Sequence, residues 1–134
     1  MNPSIQVEGY WVISGAEFSP SAAERATQEL FAEKIEPGEI CQRGRYRGKP
    51  APQGWGKRDF SVPAEDADLI SAQSSMLATL ERCVPIYKTA GAQEIILHFN
   101  VAYSNQCNLQ LTAPLLRRLA NLGVDVSLTC FPAK

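Results

Sequence analysis

EIILHFNVAY, residues 94–103, is apolar at almost every position and bounded by polar residues on both sides. In an extended chain Ile95, Leu97, Phe99, Val101 and Tyr103 fall on one face, and Ile96, His98, Asn100 and Ala102 on the other. A strand with apolar residues on both faces belongs in the middle of a sheet. Upstream of it, from Ala64, apolar residues recur at helical spacing: Leu69, Met76, Leu80, Cys83 and Tyr87. Glu65, Asp66 and Asp68 suit the first turn of that helix, and Pro85 is expected to kink it or restart it as a second short helix ending near Gly91. Downstream, LQL forms a short extended piece before Thr112 caps the helix APLLRRLANLG. Its Leu115, Leu116, Leu119 and Leu122 are expected to face the core, and Gly123 supplies the stop. VDVSLTCF then alternates Val124, Val126, Leu128 and Cys130 with Asp125, Ser127 and Thr129, the pattern of a half-buried strand.

The N-terminal half follows the same logic. Residues 5–14, IQVEGYWVIS, are β-branched and aromatic and stop at Gly15, so they read as a strand. Ser19 before Pro20 matches an N-cap with proline at the first helical position, and Ser21 with Glu24 offers a capping box in a neighbouring register. Ala23, Ala26, Leu30 and Phe31 would form the apolar stripe of that helix, ended by Pro37 and Gly38. In residues 39–62 Arg43, Arg45, Arg47 and Lys49 recur at period two and would share one face of a strand. GKPAPQGWG is a loop, and KRDFSV a short strand closing a hairpin with the basic one. The resulting order, β-α-β-β-α-β followed by a helix and a strand, predicts a single α+β domain over residues 1–134. Its twisted, mainly antiparallel sheet carries helices on one face, with a ferredoxin-like core.

Composition fits one globular domain: 134 residues, 45% hydrophobic and 20% charged. With 13 basic against 14 acidic residues the net charge is −1, so no whole-molecule field draws the chain to nucleic acid or anionic membrane, and any such attraction must be local. The N-terminus lacks the pattern of a secretory signal and no 18 apolar residues run together, so a cytoplasmic protein without a membrane partner is expected. Cys41, Cys83, Cys107 and Cys130 are widely spaced, with no CxxC and none near the single histidine. Free thiols and no metal site are expected.

Three segments carry a resemblance: FSPSAAERATQEL, the loop ending in GWG, and LQLTAPLLRRLANLGVDVSLTCF. Together they resemble the bacterial family catalogued as domain of unknown function 4279. Phe18, Leu30, Gly54, Trp55, Leu116, Leu119, Leu122 and Gly123 stand at that family's pattern positions, over nearly the whole chain. The resemblance implies a fold more than an activity, because these residues are structural in kind. It also implies a likeness to small immunity-type proteins, cytoplasmic partners that neutralise a bacterial toxin by stoichiometric binding.

Catalytic signatures are sparse. The chain has no GxxxxGK[ST], GxGxxG or HExxH, so no nucleotide cofactor or zinc hydrolase site is implied. His98 is the one histidine available as a base, and Cys107 in the following loop is the thiol within conceivable reach. A Cys-His enzyme is therefore the third reading, set against a structural histidine in mid-strand. Glu65, Asp66 and Asp68 are accounted for by the helix dipole. The one concentration of charge is Arg43, Arg45, Arg47 and Lys49, with Tyr46 interleaved and Trp55, Lys57 and Arg58 across the loop. It reads either as an edge strand kept soluble by charge or as a binding face. The leading expectation is a non-enzymatic protein-binding domain that uses Arg43, Arg45, Tyr46, Arg47, Lys49 and Trp55. The second is a nucleic-acid binder using the same residues from Arg43 to Lys49.

Overall fold

The computed structural model describes residues 5–62, 69–70 and 75–133. In chain order the elements are β1 (Ile5–Gly15), α1 (Pro20–Thr27), β2 (Glu33–Ile35), β3 (Gly54–Ser61), β4 (Leu69–Ile70), α2 (Ser75–Thr89), β5 (Glu94–Tyr103), β6 (Gln110–Leu111), α3 (Ala113–Leu122) and β7 (Asp125–Pro132). Five strands form one mixed sheet in the order β2-β3-β1-β5-β7, and the helices pack on one face. The first three neighbouring pairs are antiparallel and β5–β7 is parallel, while β4 and β6 form a separate two-stranded pair. The β-α-β-β-α-β core expected from the sequence is therefore present, with α3 and β7 adding a parallel strand beside β5.

Alternation along β1 decides which face is covered. Ile5, Val7, Gly9, Trp11, Ile13 and Gly15 are buried, while Gln6, Glu8, Tyr10, Val12 and Ser14 point to the open face. Beneath the helices β5 adds Ile95, Leu97, Phe99 and Val101, α2 adds Leu77, Leu80, Val84 and Tyr87, and α3 adds Leu115 and Leu119. Phe18, Phe31 and Tyr87 form an aromatic cluster with ring centroids 5.8–6.4 Å apart.

Several local expectations are corrected. α1 begins at the Ser19 cap, whose hydroxyl accepts the Ala22 N–H (3.2 Å), but it ends at Thr27, with Gln28 in the left-handed region (φ 62°). Tertiary bonds end it: the buried Glu24 accepts the Phe31 N–H (2.7 Å) and pairs with Lys34, turning the chain out of the helix. Ala26 is exposed and Leu30 is 72% exposed, so neither belongs to the core stripe. α2 begins at Ser75, because Leu69 and Ile70 pair with Gln110 and Leu111 as a strand. Glu65, Asp66 and Asp68 lie outside the described residues. α2 passes Pro85 as one element, with that proline on its exposed side. On α3, Leu116 points outward. β7 is an edge strand, so its burial fades after Val126 and leaves Leu128 and Cys130 exposed.

The Glu24 contact makes acid stability testable. Burial alone would raise its carboxyl, but the Lys34 hydrogen bond, the Phe31 N–H and the Lys34 charge together hold it below the usual range. A depressed carboxyl stabilises the fold above its unfolded value, and that contribution is lost as pH falls through the lower folded value. Glu24→Gln, which cannot ionise, is expected to lose about 2 kcal/mol at neutral pH and to converge on the parent in acid. Urea melts of both proteins from neutral to acid pH check this; a gap that does not narrow in acid would refute it.

Candidate functional site

Residues 36–53, between β2 and β3, build the site. Glycines at 38, 44 and 48 have φ of 82°, 84° and 77°, and each interrupts what would otherwise be extended chain. The segment folds into a compact arm instead of the basic strand expected. Isolated bridges join Ile40 with Pro50 and Cys41 with Arg47. Backbone hydrogen bonds run from Gly38 N–H to the Ala51 carbonyl (2.9 Å), Ala51 N–H to Glu39 (2.7 Å), Cys41 N–H to Lys49 (2.9 Å) and Gly48 N–H to Cys41 (2.8 Å). At its root, Glu36 accepts the Ser19 hydroxyl (2.8 Å) and the Ser21 N–H (3.3 Å), tying the arm to the start of α1.

Arg43, Arg45, Tyr46, Arg47 and Lys49 are all exposed on this arm. They do not share a strand face, because Gly44 and Gly48 redirect the chain between them. Among the described residues none of the four cations is ion-paired, and the Arg45 guanidinium lies over the Tyr46 ring (5.8 Å). Trp55 stands half-buried on the open face of β3. Arg43 and Trp55 line one cleft of about 560 Å³ together with Ile35, Glu39, Cys41 and Glu33. The sequence reading missed these carboxylates at the arm's root; Glu33 and Glu39 flank the basic run in sequence, and their charge was the available signal.

The fold separates Lys57 from Arg58. Consecutive strand residues point to opposite faces. Lys57 covers the Tyr10 ring on the open face (4.4 Å). Arg58 turns under the sheet, lies over Trp11 (5.3 Å) and pairs with Glu29 (2.8 Å), which also binds Arg82 (2.6 Å).

His98 and Cys107 are not brought together. The His98 ring stacks on Tyr10 (4.8 Å between centroids), and its Nε2 lies 3.1 Å from the Thr129 hydroxyl. Cys107 is exposed in the loop after β5, and the exposed Cys130 follows Thr129 in β7 with its side chain on the opposite face from it. Lys57, Tyr10, His98 and Thr129 thus form a row across four strands of the open face. Its flank is a shallow cleft of about 510 Å³ over Glu8, Tyr10, Lys57 and Asp59. Among the described residues no group of three or more His, Cys, Asp or Glu is placed to hold a metal ion, and no helix is long and apolar enough to cross a membrane.

No protein-family model matches the chain, and no curated protein and no solved structure matches it.

Proposed function

We propose that the chain is a small non-enzymatic binding domain whose cationic arm docks on an acidic surface of a partner protein and occludes it stoichiometrically. This is the mode of action that the immunity-type resemblance implies, with a bacterial toxin as the partner. The observation that carries the reading is the arm: four cations with no ion pair among the described residues, and Tyr46, on a backbone already fixed by its own hydrogen bonds. A preformed loop loses little conformational entropy on binding. Arginine forks pair carboxylates bidentately, and Tyr46 with Trp55 supplies the aromatic contacts favoured at interface hot spots.

A nucleic-acid partner is the second reading, favoured by the same cations. Against it stand Glu33 and Glu39, exposed at the arm's root, which would repel a polyanion running on past the tip. A compact acidic patch on a protein can meet the tip alone.

Replacing Arg43, Arg45 and Arg47 together by serine tests the site. The fold should stay within about 0.5 kcal/mol of the parent, since the three side chains are exposed. Association with a partner captured from bacterial lysate should slow by roughly tenfold or more and lose most of its salt dependence. Unchanged association would remove the arm as the site. Tight, steeply salt-dependent binding of the parent to random DNA or RNA, abolished in the variant, would favour the second reading.

A further inference from the structure

The two edges of the sheet are finished differently. At one edge β2 is three residues long, carries Glu33 and Lys34, and runs directly into the arm. At the other edge β7 extends for eight residues, with Asp125 its only charged side chain. Among the described residues no strand pairs with its outer side. Short length and charge are the usual guards of an edge strand; β2 has both and β7 has neither.

β7 also exposes apolar groups on both of its faces. Val126, Leu128 and Cys130 stand level with Leu97, Phe99 and Val101 of β5, on the helix side, while Thr129 and Phe131 stand level with Asn100 and Ala102 on the open side. Leu97, Phe99 and Val101 are fully buried, yet one strand further out Leu128 is 47% and Phe131 44% exposed.

We propose that β7 pairs antiparallel with β7 of a second copy of this chain across a two-fold axis, so that a dimer shares one sheet of ten strands, five from each copy. The register follows from the pleat. If the helices of both copies lie on the same side of a continuous sheet, facing residues must come from the same face, so the two paired residue numbers must add to an even number. Setting Leu128 against Leu128 meets this condition. It places Val126 of each copy opposite Cys130 of the other and leaves Pro132, which has no N–H to donate, outside the pairing. The apolar row is thus complementary to itself. Charge agrees: antiparallel pairing sends the two Asp125 carboxylates to opposite ends of the contact, whereas parallel pairing would set them side by side. Because β2 is too short and too charged to receive β7, the assembly closes at two copies and does not grow into a filament. The arm leaves from the far edge of each sheet, so the dimer keeps both arms free and its existence does not depend on the arm's role. Seven paired residues make a contact about 24 Å long and about 10 Å deep, small for a stable interface, so monomer and dimer should exchange at micromolar concentrations.

Sedimentation velocity of the reduced full-length chain from about 1 µM to about 1 mM tests this. The mass should rise towards twice that of the monomer. It should change little with salt, since backbone hydrogen bonds and apolar side chains make the contact. Leu128→Lys sets two like charges face to face on the axis and should weaken dimerisation by roughly a hundredfold or more, with a urea melt that stays cooperative. Leu128→Cys keeps the test decisive if lysine unfolds the chain. Mild oxidation should then yield a dimer whose linked peptides join 128 to 128, while the two native Cys130 residues, four positions out of register, stay unlinked to each other. Serine at Arg43, Arg45 and Arg47 together should leave the dimer intact. A monomer at every concentration would leave the edge to a strand of another protein and overturn the proposal. So would a dimer unchanged by Leu128→Lys, a dimer lost with the three arginines, or intermolecular links that avoid 128.

Discussion

Alanine at Gly54 is expected to remove about 3 kcal/mol or more of stability, the upper end of what overpacking does, because the collision is with backbone. A Cβ on Gly54 would sit 1.6 Å from the Phe18 carbonyl oxygen and 2.8 Å from its carbon. No rotamer relieves that contact; either the start of β3 or the turn from β1 into α1 must move. Gly54 faces Gly15 across the β1–β3 ladder, and a Cβ on Gly15 would lie 2.3 Å from the Gly91 carbonyl. These glycines thus let three chain segments close on residues 16–18. There Phe18 N–H bonds Gly15 (3.1 Å) and Ser19 N–H bonds Ala90 (3.1 Å), which sets α1 at its angle to the sheet. Gly44→Ala is the comparison. It has φ 84° but open space around it, so it should lose only about 1 kcal/mol, the left-handed penalty alone. Urea melts of the two variants decide the matter. Equal losses would mean that the chain at Phe18 yields readily and that the close approach is not what requires a glycine at 54.

This crowding also shows what the sequence could and could not disclose. The central strands were legible because burial wrote itself into their pattern: β5 is apolar on both faces and β1 alternates. The caps were legible because they are local. Ser19 and Thr112 accept N–H groups three residues on, and Gly123 takes φ 74° at the end of α3. The end of α1 was not local, since it depends on a buried carboxylate reaching Phe31 and Lys34. The basic run misled for a different reason. Its period-two spacing is real, but Gly44 and Gly48 lie within it, and a residue in the left-handed conformation breaks a strand whatever its neighbours. Those two glycines were the readable warning. At the site, the separation of Lys57 from Arg58 follows from strand alternation, whereas the meeting of Arg43 with Trp55 depends on long-range pairing. The placement of β1 between β3 and β5 is long-range in the same sense: no segment of the chain encodes a strand order by itself.

The largest loss is expected at the centre of that order. Trp11→Ala should destabilise the fold by about 4 kcal/mol, the range for deleting a large buried aromatic ring. Trp11 is 1% exposed and lies in the ladder between Arg58 of β3 and Leu97 of β5. Its indole N–H donates to the Tyr87 hydroxyl (3.1 Å), linking the sheet to α2, and its ring meets Phe60 (5.9 Å between centroids). Burial pushes the Tyr87 hydroxyl well above the usual tyrosine range, so it accepts the indole N–H as a neutral phenol. The indole also carries a cation: Arg58, whose buried Nε has no hydrogen-bond partner among the described residues, rests its guanidinium on the ring while Glu29 holds the far end. Alanine would therefore leave a cavity, a Tyr87 hydroxyl without its indole donor and a half-buried guanidinium facing the gap. Trp11→Phe separates these effects. A phenyl ring keeps much of the volume and a face for Arg58, and gives up the N–H bond to Tyr87, so a loss of about 1.5 kcal/mol is expected. Far-UV circular dichroism melts in urea measure both. If phenylalanine proves as damaging as alanine, the bond to Tyr87 and not packing holds the centre of the sheet, and Tyr87→Phe should then be equally severe.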